Sequence, residues 1–124
     1  MSMPAQDPMS QCLGALANLY RRVVLYYLRE HERASLDNLA SCVAGWAASG
    51  VGARQTTDPE TVRMSLHHVH LPKLADAGLI TYDADAQRAT LEPLSPTADR
   101  VLSVALDADV GEESVDHLLA GAHD

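Results

Sequence analysis

The chain has no phenylalanine, and its aromatic side chains are limited to one tryptophan and four tyrosines among 124 residues. The core is therefore left to leucine, valine and alanine, a set that favours helices over strands. No run of about 18 apolar residues occurs, so no membrane-spanning helix is expected. The first ten residues carry Pro4, Pro8 and Asp7 without a basic side chain, which is not the layout of a secretory signal. A cytoplasmic protein is expected. Cys12 and Cys42 fall in separate helical patterns without CxxC spacing and read as free thiols rather than a metal or redox site. GxSxG, HExxH and a glycine-rich phosphate loop are all missing, so neither enzyme activity nor a cofactor is expected, and no small-molecule ligand is identifiable.

Lysine is nearly absent too, with Lys73 alone beside eight arginines. The net charge is −8, and it is unevenly placed. Residues 1–82 hold seven acids and seven bases, whereas residues 83–124 hold ten acids against Arg88 and Arg100. Aspartate outnumbers glutamate, eleven to six, and with the scarcity of lysine this is the surface of a protein kept soluble in molar salt. An extreme halophile, an archaeon, is the expected source.

Apolar residues recur at three-four spacing from Leu13 to Leu28, which predicts one helix over 10–32. Ser35 is a candidate N-cap for a second helix whose stripe is Leu36, Leu39, Ala40, Val43 and Ala44. The stretch Ser49 to Thr57 reads as a loop. Asp58 and Pro59 supply the N-cap and first position of a third helix, expected over 59–77 and ended by Gly78. Within it Val62, Leu66 and Val69 share one face, and Met64, Leu71, Leu74 and Ala75 lie roughly opposite. Pro72 cannot donate to the His68 carbonyl, so a kink or break is expected there. Leu79 to Tyr82 and Arg88 to Glu92, joined by a polar turn, predict a hairpin. A fourth helix starts near Pro96, and a weaker amphipathic pattern follows over 112–122.

Three helices followed by a hairpin is the order of a winged helix-turn-helix, here mainly α with a small β-hairpin and an additional C-terminal helix. The expected organisation is a disordered N-terminus (1–9), a winged-helix domain (10–94) and a C-terminal helical segment (95–124) that dimerises. Leu19 and Leu25, off the main stripe of the first helix, are expected to add to a homodimer surface.

The run from His70 through Leu71, Leu74, Ala77, Gly78 and Leu79 to Ile80 resembles the end of the third helix in ArsR-like helix-turn-helix transcription regulators. Arg29-Glu30-His31, Ser35 to Ala40 and Val62 to His70 are similar to a small haloarchaeal winged-helix family of unassigned function, over about residues 13 to 92. What these resemblances imply is a DNA-binding transcription regulator that reads double-stranded DNA through helix 59–77 and the wing. DNA binding needs cations for phosphate and donors for base edges. The candidates are Arg54, Arg63, Ser65, His67, His68, Lys73 and Arg88. No acid lies between Thr61 and Ala75.

Two alternatives remain at this level. A winged helix that binds protein rather than DNA would present an outward apolar ridge from Val62, Leu66 and Val69, or would use Arg63 in an internal ion pair. A metal-responsive sensor would use His67 and His70, three apart on a helix, although the cysteine pair of sensory ArsR-like proteins is missing.

Overall fold

The computed structural model describes residues 7–49 and 58–123, with side chains described as far as residue 110. Helix α1 is Pro8–Ala15, α2 is Leu19–His31 and α3 is Leu36–Ala48. Helices α4 (Pro59–Ser65) and α5 (Leu71–Asp76) continue one another through a π-helical turn, Leu66–His70. Strands β1 (Arg33–Ser35), β2 (Ile80–Asp83) and β3 (Arg88–Leu91) form an antiparallel sheet in the order β1-β3-β2. Helix α6 spans Pro96–His123. The fold is a mainly α winged helix-turn-helix with a small sheet and an added C-terminal helix.

The first helix expected from the sequence is in fact two. Asn18 adopts an extended backbone and its side chain accepts from the N–H groups of Tyr20 and Arg21, which starts α2 afresh. The carbonyls left open at the end of α1 are taken by the next two side chains. Arg21 donates to the carbonyls of Ala15 at 2.6 Å and Gly14 at 3.3 Å, and Arg22 donates to that of Leu16 at 2.8 Å.

Strand β1 is a second departure from the sequence expectation. Three residues are too few to display alternation, yet Ala34 pairs with Ala89 on the buried face while Arg33 and Ser35 lie opposite Thr90 and Arg88. Ser35 then caps α3 as expected, accepting from the Asn38 N–H at 3.1 Å. Asp58 caps α4 in the same way through the Thr61 N–H, with Pro59 in the first turn.

The core is built from Val23, Val24, Leu25 and Leu28 of α2, Leu36, Leu39 and Val43 of α3, and Val62, Leu66, Leu71 and Leu74 of the α4–α5 unit. Ile80 and Ala89 close it from the sheet. Leu25 is 1% exposed and Leu19 packs against the core, so neither supplies the free dimer surface expected of it.

Helix α6 is continuous where two segments were expected, and it is fixed to α2 by one apolar and two polar attachments. Leu102 is buried, with Ala98, Val101 and Leu106 packed beside it. Arg29 reaches Asp99 at 3.1 Å and the Ser103 hydroxyl at 2.9 Å. Arg22 forms a bidentate pair with Asp109, Nε to Oδ2 at 2.7 Å and Nη2 to Oδ1 at 2.9 Å, and the Tyr26 hydroxyl donates to the same carboxylate. Burial raises the Tyr26 pKa, and the Asp109 contact raises it further. Burial also pushes the Asp109 carboxyl up, but the hydrogen bonds from Arg22 and Tyr26 and the Arg22 charge outweigh it and leave the group below its ordinary value.

Removing Asp109 leaves the Tyr26 hydroxyl without its acceptor and the sheltered Arg22 guanidinium with only the Leu16 carbonyl. Asp109→Ala is expected to cost about 2 kcal/mol, a fall of several degrees in Tm at neutral pH. Because the folded-state carboxyl is depressed, its stabilisation is present above the ordinary carboxylate range and is lost as pH falls through the lowered value. Melting curves by circular dichroism from neutral to strongly acidic pH check both; a variant with the wild-type profile would show that the pair does not hold α6.

Candidate nucleic-acid interface

The face that α4 and α5 turn to solvent is set by the π turn. The N–H of Leu71 bonds the carbonyl of Leu66, five residues back, and this wider turn delays the rotation of everything after it. Leu66, His70 and Leu74 consequently stay in phase with Val62 on the inner side, and all four are buried. Val69, expected on that inner stripe, is 53% exposed; Met64, expected to lie with Leu71 and Leu74, is 47% exposed while both leucines are 0% exposed. The irregularity expected at Pro72 lies in the turn just before it, and the helical path continues through Pro72 as part of α5.

The candidate residues separate into three groups. His68, Lys73 and Arg88 are exposed, the first two on the α4–α5 surface and the last on β3. Ser65 is half-buried, and Arg54 lies outside the described residues. Arg63 and His67 have taken partners within the fold. Arg63 donates from Nε to Asp37 at 2.7 Å and from Nη2 to the Gln87 side-chain oxygen at 2.7 Å, joining α3, α4 and the wing turn. The hydrogen bond and charge of Asp37 raise its pKa, so the cation persists but is shared. His67 Nδ1 lies 2.6 Å from the Tyr82 hydroxyl and ties the helix to β2.

The wing itself is held at its turn. Gln87 closes the turn at φ +54°, a left-handed backbone that side chains rarely adopt, and its carbonyl accepts the N–H of Leu36 at 2.8 Å. Asp83 accepts from the N–H groups of Asp85 and Ala86, which rounds off the tip with two acids. On the polar outer face, Arg88 sits between Asp83 and Ser35 in the register.

Sequence reasoning missed Met64 and Val69 as surface residues, because a uniform 100° rotation per residue cannot anticipate a π turn. Ten residues, 49–58, separate α3 from α4 where three or four are usual, and the loop expected over Ser49 to Thr57 lies from Gly50 onward outside the described residues.

His70 does not share an ion with His67. It is 8% exposed, packs edge-on against Tyr20, and places Nδ1 at 3.1 Å from Arg21 Nη1. A guanidinium only donates, so Nδ1 accepts and the ring proton resides on Nε2. Among the described residues no three His, Cys, Asp or Glu side chains are grouped as a metal site. No described helix is long and apolar enough to cross a membrane.

Residues 13–90, well over half of the chain, match the family described as Domain of unknown function (DUF7344). No curated protein and no solved structure matches.

Burial and then the neighbouring Arg21 charge pull the His70 pKa down from 6.5 to about 4. The unfolded chain therefore takes up a proton before the native one does. Stability is full above the ordinary imidazole value and falls as pH drops through this window, by up to about 3 kcal/mol. His70→Gln keeps an acceptor for Arg21 without a titrating ring, and its Tm is expected to change less than wild type's across the window. Equal acid loss in both proteins would assign the effect to another group.

Proposed function

The chain belongs to the DUF7344 family, and we propose that it is a DNA-binding transcription regulator that lays α4 and α5 in the major groove. One observation carries this reading: the second helix of the helix-turn-helix presents Met64, His68, Val69 and Lys73 to solvent on a stretch without acids, in a chain of net charge −8. A helix of about 10–12 Å diameter matches a major groove about 12 Å wide. Arg88 on the wing adds a second cationic contact beside it. The run from His70 to Ile80, which resembles the end of the third helix in ArsR-like regulators, supports the same reading.

The acidic balance is compatible with this if the protein works in molar potassium. At such salt the screening length is about 3 Å, so charge elsewhere on the chain neither repels nor steers DNA. Affinity then rests on close contacts and water release rather than on counterion release. Arg63 positions the wing instead of touching DNA in this reading. A homodimer belongs to the same proposal: Met9 and Leu13 on α1 and Val104 on α6 are exposed apolar side chains, and two-fold symmetry would place two readout helices on a pseudo-palindromic site.

A second reading, a protein-binding module, is favoured by two observations. Arg63 is engaged with Asp37, and Met64 and Val69 are exposed.

The test is retention of the protein's own promoter DNA by the full chain, across a potassium chloride series up to molar. Sequence-dependent binding is expected at high salt. Lys73→Ala should weaken all duplexes alike and reduce the salt slope by about one, whereas His68→Ala should cost about 1–3 kcal/mol and relax sequence preference. No sequence-dependent retention at any salt would sink the DNA reading in favour of the protein-binding one.

A further inference from the structure

We infer that the α4–α5 surface reads thymine methyl groups, so that its DNA sites are defined by thymines in the major groove rather than by guanines. The inference rests on the DNA-binding reading and gives it a ligand chemistry. It follows from which side chains this helix has free. The commonest base contact is a bidentate Arg or Lys on guanine, and adenine is read by Asn or Gln. Between Thr61 and Val69 there is no Lys, Asn or Gln, and the one arginine, Arg63, is held by Asp37 and Gln87. The Thr61 hydroxyl donates to Asp58 at 2.7 Å.

Ser65 is half-buried, and beyond Thr61 what remains exposed over this stretch is a pair of apolar side chains and one imidazole. Met64 is 47% and Val69 53% exposed, and His68 is exposed between them in sequence. The π turn makes this grouping possible. With the turn widened, Met64 lies one turn below both His68 and Val69, where a regular α-helix would have rotated Val69 towards Val62 and the core. Two apolar groups on a stretch without acids of its own, the nearby Asp37 carboxylate being paired with Arg63, have one matching feature in the groove, the C5-methyl of thymine. His68 supplies a single polar contact beside them, and Lys73 lies further along the same helix, exposed.

Burying a methyl against Met64 or Val69 is worth roughly a four-fold change in affinity per group, by the usual transfer value for one carbon. Full-length protein would be used to select duplexes from a randomised pool in molar potassium chloride. Each thymine of the recovered site would then be replaced by deoxyuridine, which keeps the base edge and deletes only the methyl. Recovered sites are expected to share thymines, and at one or more of them deoxyuridine should weaken binding roughly four-fold.

In Met64→Ala and Val69→Ala that penalty should shrink at a particular thymine, the coupling expected of a direct contact. His68→Ala should weaken binding with the penalty intact. Both apolar residues are surface residues, so an unchanged Tm confirms that the variants are folded. Selected sites that tolerate deoxyuridine throughout, or that centre on guanine, would overturn the inference and leave DNA binding standing. A pool from which nothing is enriched would overturn DNA binding as well, and assign Met64 and Val69 to a protein partner.

Discussion

A buried cation joins two places where this chain leaves regular helical geometry. The Arg21 guanidinium is enclosed with the residue 8% exposed, and its acceptors are two backbone carbonyls and a ring nitrogen. Desolvation lowers its pKa, the mark of a charge held away from water. The carbonyls belong to the end of α1, where the chain breaks at Asn18, and they carry the negative end of that helix's dipole. The ring nitrogen belongs to His70, the last residue of the π turn. One side chain therefore binds two of the carbonyls at the first irregularity and the last ring of the second. The surface that α4 and α5 present depends on the orientation of that turn, because it decides that Leu66 and His70 face inward together.

The features legible in the sequence were those written locally. Ser35, Asp58 with Pro59, and the two strands around the Asp83 to Gln87 turn each declare themselves within a few residues, and each is where the pattern placed it. The break at Asn18 was also local, but it was hidden by apolar residues that keep helical spacing across it. The spacing persists because α1 and α2 bury Cys12, Ala15, Leu16 and Tyr20 in one core. Strand β1 was illegible for a different reason, since its pairing with β3 spans more than fifty residues and three positions carry no period of their own.

The candidate site was legible as a region more than as a set of side chains. The absence of acids from Thr61 to Ala75 singled out one stretch, and its exposed side chains lie on α4 and α5. Residue type alone placed Arg63 and His67 beside His68, Lys73 and Arg88, yet Arg63 and His67 are engaged within the fold. A cation is as useful across a domain's own seams as towards a partner, and sequence does not distinguish the two when the partners, Asp37 and Gln87, lie more than twenty residues away. Asp109 makes the converse point, since part of the acidic C-terminal third is structural.

The closing residue of the wing turn has a consequence for how this surface meets anything. A glycine would occupy the backbone of Gln87 without strain, but it would give Arg63 no oxygen to bind. The chain instead holds a left-handed glutamine whose carbonyl and side chain are both fixed, one by α3 and one by α4. The wing turn is thereby tied to both helices through one residue. A turn held by both its carbonyl and its side chain has less conformational freedom left to lose on contact than one joined only to its own strands.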